Sequence, residues 1–156
     1  MDLASWSLGL SLIVLTIAIH TSAVVGMALA LEKRVAGRSS TSAPTRRQAI
    51  PVVIIRIGTI AVLLAALHGV EGVIWAVAYR WLGIFDSFTD ASTYSLAAMT
   101  TSETLATPRA SGWPMLSALE AVNGGLLFGI STAFLFAVIQ VHWQTLLHRR
   151  QTPADD

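Results

Sequence analysis

The sequence predicts an all-α membrane protein in which three long helices cross the bilayer and a short re-entrant helix and loop fold back between the second and third. Three observations predict it. Hydrophobic residues make up 54% of the 156 and charged residues only 12%, with a mean hydropathy of +0.65; a soluble domain of this size carries about twice that charge. Three apolar runs each exceed the roughly 20 residues that a helix needs to cross the hydrocarbon core. Between the last two lies Asp90 to Trp113, which opens helix-like and turns polar at Thr100, Thr101, Ser102, Glu103 and Thr104. No cysteine is present, so disulfides, thiolate metal sites and cysteine nucleophiles are excluded.

Residues 1–31 form the first element, a peripheral transmembrane helix with its apolar run over residues 3 to 31. Its start carries Asp2 and no Lys or Arg, unlike a signal peptide, so it is read as a retained span. His20 is its only interior titratable residue; a neutral imidazole bonded within the bundle is the expected role, and a proton relay is the other. Residues 32–50 hold Lys33, Arg34, Arg38, Arg46 and Arg47 against one acid, Glu32, which reads as a basic cytoplasmic loop that sets topology.

An outer helix over 51–82 follows, with Pro51 in its first turn, where a missing N–H is harmless, and Tyr79 and Trp81 as interfacial anchors. His68 and Glu71 are three apart and share a helix face. An ionised residue at that depth costs roughly 2.5–3.5 kcal/mol, so both are expected to face protein, as a hydrogen-bonded pair that ties the outer helix to the short helix. A zinc or proton site is the other reading, but two ligands without a visible third are too few for a metal centre.

Gly83 to Thr89 is a short loop, and Asp90 is expected to cap a helix over 90–100. The third span, over 114–143, is followed by a short tail, 146–156, in which His148, Arg149 and Arg150 form a second basic flank. The positive-inside rule then puts the C-terminus in the cytoplasm and the N-terminus outside a multi-pass protein of the plasma (inner) membrane. Glu120 is expected to be a structural partner for the re-entrant segment, with a second acidic ring as the other reading. Ser131 and Thr132 either face a cavity or bond back to their own helix. Gly124, Gly125 and Gly129 serve either close helix packing or a hinge.

At Asp90 to Trp113 the chain resembles the tetrameric potassium channels, whose pore loop reads A-x-Y-F-S-x-x-T-x-T-T-V-G-Y-G-D, followed by a Trp and a glycine-containing inner helix. Laid on without gaps, Ala91, Ser95, Thr100, Thr101 and Trp113 fall in register, and the likeness extends over about residues 50 to 145. It implies a homotetrameric pore module over 51–145, with a pore helix at 90–100, a filter at 100–106 and a pore-lining inner helix whose glycines are a gating hinge. The filter departs from the family: Ser102, Glu103, Thr104, Leu105 and Ala106 replace Val-Gly-Tyr-Gly-Asp. The family filter needs glycines in left-handed conformations so that carbonyls line the axis. Glu103 and Leu105 stand in those places, at a penalty on the order of 1–2 kcal/mol for each copy.

The departure shapes the expected function. Fourfold symmetry makes Glu103 a ring of carboxylates, the other standard means of selecting cations and a candidate divalent-metal site. The string Ser102-Glu103-Thr104 is also similar to the G-E-T of cyclic-nucleotide-gated channels, which conduct cations without strong preference. The expectation is a cation channel that is not potassium-selective or that prefers divalents, in a lipid bilayer, with Ca, Mg, Na or K ions in the pore, no cofactor and no nucleic-acid partner. The alternative is a non-conducting protein of the same fold that acts as an assembly or partner-binding subunit. An enzyme is not expected, since no nucleophile–base arrangement is present.

Overall fold

A computed structural model describes residues 3–36, 46–102 and 113–148. Its elements are α1 (Leu3–Ala36), α2 (Arg46–Trp81), α3 (Phe88–Met99) and α4 (Pro114–His148), with no strand among the described residues. α1, α2 and α4 contain segments of 31, 32 and 29 residues, Leu3–Lys33, Ile50–Trp81 and Met115–Trp143, that are long and apolar enough to cross a membrane. At about 1.5 Å per residue each exceeds a core of about 30 Å, so the chain is an all-helical, membrane-embedded protein. α3 has 12 residues. It is too short to cross.

Several boundaries differ from expectation. The basic segment expected as a loop over 32–50 is helical up to Ala36 and again from Arg46. Arg, Gln and Ala are good helix formers, so α2 extends back beyond its apolar span. Pro51 consequently lies inside α2 and not in its first turn, and removes one rung of the helix ladder. The inner helix, expected to stop at 143, continues to His148.

α3 begins at Phe88 and not at Asp90. Its cap is Ser87, in an extended conformation (φ −103, ψ 134), whose side chain accepts the Asp90 N–H at 3.4 Å. Asp90 sits in the first turn, where its carboxylate complements the positive helix end. At the other end, the Ser102 N–H donates to the Ala97 carbonyl (2.8 Å) and the Thr101 N–H to that of Ala98 (3.1 Å). This is a Schellman closure, whose left-handed position usually belongs to glycine. Here it is held by Thr101 at φ 54, a β-branched residue in a conformation that costs on the order of 1–2 kcal/mol.

α1 and α4 run parallel, and α2 is antiparallel to both. The half of the bundle at the C-terminal ends of α1 and α4 is a three-helix packing in which Ile60, Leu64 and Val138 are buried with Val24, Met27 and Leu31 against them. In the other half α3 joins, and Trp75, Ala76, Tyr79, Ile84, Phe85, Ala91, Leu12 and Leu116 form the larger cluster. The turn between α2 and α3 is drawn in by Ile84 and Phe85, which are 3% exposed.

α3 is wedged between α2 and α4 by two glycines. A Cβ at Gly72 would lie 2.9 Å from Leu96 Cδ2, and one at Gly124 would overlap the backbone carbonyl of Met99. Gly72 precedes the end of α2 by about 14 Å of helix, and Gly124 follows the start of α4 by about 15 Å. The C-terminal end of α3 therefore lies against α2 and α4 about a third of the way along their apolar segments of 32 and 29 residues.

Candidate functional site

Two groups of polar residues occupy this apolar bundle: the turn that ends α3, and a buried column between the long helices. At the turn, Thr100, Thr101 and Ser102 are exposed in the single chain. The Thr100 hydroxyl donates to the Leu96 carbonyl (2.9 Å), and that of Thr101 to the Thr100 carbonyl (2.7 Å). A hydroxyl whose proton is so placed keeps lone pairs for another donor or a cation. Glu103, Thr104, Leu105 and Ala106, the rest of the expected filter, lie outside the described residues, as do Arg38, Arg149 and Arg150.

α4 divides sharply into two faces. Glu120, Asn123, Leu127, Ser131, Val138 and His142 are buried, whereas Val122, Gly125, Gly129, Thr132, Phe136 and Gln140 are exposed. Of the three candidate hinge glycines, Gly124 is the close-approach position against Met99, and nothing lies within 4 Å of a Cβ placed at Gly125 or Gly129. α4 passes through all three as one continuous helix. Thr132 bonds back to the Phe128 carbonyl at 2.8 Å, the second of its two readings.

The outer layer of the buried column joins three helices. Glu120 of α4 is fully buried. It accepts the Tyr79 hydroxyl of α2 on Oε2 at 2.5 Å, while its Oε1 lies 2.5 Å from Ser95 Oγ of α3. Ser95 Oγ is also 2.8 Å from the Gly72 carbonyl oxygen. One hydroxyl proton cannot serve both, so all three contacts are satisfied when the Glu120 carboxyl donates to Ser95 and Ser95 donates to Gly72. Glu120 thus ties α4 to α3 and α2. Below it, the Asn123 amide donates to Thr16 Oγ1 at 2.9 Å and links α4 to α1. The Trp75 indole N–H is a buried side-chain donor with no partner among the described residues.

The inner layer is a closed ring. Glu71 Oε1 lies 2.8 Å from His20 Nδ1, and Oε2 lies 3.1 Å from His68 Nδ1. Both Nε2 atoms meet Ser131 Oγ, at 3.1 Å from His20 and 3.2 Å from His68. The pair His68–Glu71 was expected to tie α2 to the short helix; it ties α2 to α1 and α4 instead. Helix register brings His20, from the far side of the chain, beside it. The two-ligand objection therefore falls: His20, His68 and Glu71 each offer a ligand atom, all within 4.8 Å of one another.

This ring contains four contacts, each of which needs one proton. Ser131 supplies one, and a carboxylate with two neutral imidazoles supplies two. One further proton closes the ring; a metal ion bound by the carboxylate and both Nδ1 atoms closes it in another way, leaving the two ring protons on Nε2 for Ser131. His20 sits in the expected role of a bonded buried imidazole, while its partnership with Glu71 carries no sequence signal. For Asn123 and Ser131 a signal exists, since with Glu120 they mark one polar stripe at helical spacing on an otherwise apolar helix.

Comparison with family models, with curated proteins and with solved structures finds no match to the chain. The likeness to potassium channels therefore rests on the residues that carry it.

Proposed function

We propose that the chain is the subunit of a homotetrameric, pore-loop cation channel, with residues 100–104 as the filter and Glu103 as a selectivity ring. The observation that carries this reading is α3: a 12-residue helix, too short to cross, wedged at glycine contacts between α2 and α4, that ends in a polar turn about a third of the way along their spans. A re-entrant helix of this kind has little use in a protein that only spans the membrane, because irregular backbone at that depth is tolerated where it lines a polar path or is buried in protein. Two further features support it. The negative end of the α3 dipole points inward, which favours cations over anions. Thr101 holds a strained left-handed conformation at the first described filter positions, and such strain concentrates at functional sites.

A ring of four Glu103 carboxylates favours a divalent ion, which relieves their mutual repulsion better than a monovalent one. Purified protein in liposomes is expected to pass potassium and sodium with little preference, and external calcium or magnesium to reduce that flux. Glu103→Gln keeps the size and removes the charge; it is expected to weaken divalent block at least tenfold while leaving assembly intact. Unchanged block in this variant would remove Glu103 from the pathway. Absence of flux from the wild type under voltage of either sign would favour the non-conducting reading, to which the missing filter glycines already point.

The proposed orientation follows the basic residues, which cluster in 33–47 and at 149–150. A cysteine introduced at Ser40 is expected to resist impermeant thiol reagents in intact cells, and labelling there would invert the topology.

A further inference from the structure

We infer that His20, His68 and Glu71 form a binding site for one divalent transition-metal ion of the zinc type, with Ser131 as the outer partner that fixes both imidazoles. This site is separate from the proposed filter. It lies between α1, α2 and α4 and does not depend on the conduction reading.

The ligand set is supplied by two helices. His68 and Glu71 share a face of α2, and parallel packing of α1 against α4 carries His20 to the same level. A tetrahedral ion with bonds of about 2.0–2.1 Å holds neighbouring ligand atoms roughly 3.3 Å apart. The two Nδ1 atoms meet different oxygens of Glu71, at 2.8 Å on Oε1 and 3.1 Å on Oε2, and all three ligand atoms lie within 4.8 Å of one another, so an ion draws the two imidazoles in by rotation toward the carboxylate. Two imidazole nitrogens and one carboxylate suit zinc, cobalt or nickel; calcium and magnesium prefer a shell of oxygens. This distinguishes the site from the hard-cation ring proposed at Glu103.

The outer partner is already in place. An ion on both Nδ1 atoms leaves each ring with its proton on Nε2, and both Nε2 atoms face Ser131 Oγ. A hydroxyl oxygen has two acceptor lone pairs, so it receives both N–H groups at once. Metal-bound histidines characteristically make such a second bond, which sets their tautomer and orientation. Burial adds the energetic reason: Glu71 and His20 are fully buried and His68 is 8% exposed, so an ionised carboxylate here needs a positive partner. Phe128 stacks on His68, with centroids 4.2 Å apart, and covers one side of the cluster.

The test uses full-length, tag-free protein in mild detergent, loaded with zinc or cobalt(II) and freed of excess metal. One ion per chain is expected, with the intense visible bands that mark tetrahedral cobalt(II). Glu71→Gln is the principal variant, because the Gln amide accepts from one imidazole and donates to the other. It keeps the ring closed without charge and is expected to fold but to retain no metal. Ser131→Ala leaves all three ligands and is expected to keep the stoichiometry while weakening affinity by about 10- to 100-fold. His142→Gln alters a buried histidine that bonds to its own helix, at the Val138 carbonyl, outside the cluster, and is expected to change nothing. The proposal is overturned if wild-type protein retains no more metal than Glu71→Gln, which would mean that a proton alone closes the ring. It is equally overturned if the His20→Gln, His68→Gln double variant retains the ion, or if His142→Gln loses it.

Discussion

At the scale of single residues, the polar side chains inside this protein are matched to one another by proton count. Glu120 illustrates the point. Its two oxygens meet Tyr79 and Ser95, and the contacts are all satisfied only when the carboxyl supplies a proton of its own. A neutral amide of the same shape supplies the same donor and acceptor. Glu120→Gln is therefore expected to change stability by less than about 1 kcal/mol, whereas Glu120→Ala leaves a cavity and takes the acceptor from the Tyr79 hydroxyl, and is expected to cost about 2–4 kcal/mol. Unfolding of both variants by sodium dodecyl sulfate in mixed micelles distinguishes them. Equal, large losses would mean that Glu120 is held as a carboxylate and that the proton count is wrong. The same reasoning separates what was legible here from what was not. That Glu120 is a structural partner within the bundle was readable from its depth in an apolar run, and the contact is with Ser95 of α3. That His20 closes the ring on Glu71 was not, because their juxtaposition depends on how α1 packs against the other helices and leaves no mark in local spacing.

At the scale of elements, the three long helices follow from hydropathy alone, and their ends do not. Propensity carries α2 back to Arg46 and α4 on to His148, beyond the apolar windows that define the spans. The start of α3 was readable as Ser87-Phe88-Thr89-Asp90, the spacing of a capping serine and an acid three residues on, but the acid is not the cap. The glycines of α4 make a sharper test of the packing. A methyl group at Gly124 would overlap the Met99 carbonyl, which belongs to backbone and cannot turn aside. Gly124→Ala is expected to push α3 off α4 and to destabilise the fold by about 2–3 kcal/mol. Gly125→Ala and Gly129→Ala meet nothing among the described residues, so the isolated fold should tolerate both. Thermal unfolding of the three variants checks this. Equal tolerance at Gly124 would mean that α3 does not lie against α4 as described.

At the scale of the whole molecule, a single chain offers two features that only other copies can use together: the exposed polar turn at Thr100–Ser102, and the exposed α4 face with Gly125, Gly129, Thr132, Phe136 and Gln140. The opposite face of α4 is filled by α1, α2 and α3, so this face is open to lipid or to neighbouring copies. A stripe that combines small residues with Thr132 and Gln140 is poorly suited to lipid and well suited to close helix approach or to a polar path. A closed ring of identical subunits directs the same face of each copy toward one axis. Because the chain has no cysteine, single-cysteine variants report that geometry without background. Thr132→Cys and Gln140→Cys are expected to form disulfide-linked dimers under mild oxidation in membranes. Val62→Cys, 69% exposed on α2, is expected to face lipid and to remain uncrosslinked. Native mass measurement of the same preparations should give four chains. A monomer in mild detergent, or crosslinking at Val62 in place of Thr132, would leave α4 facing lipid and the proposed pore without walls.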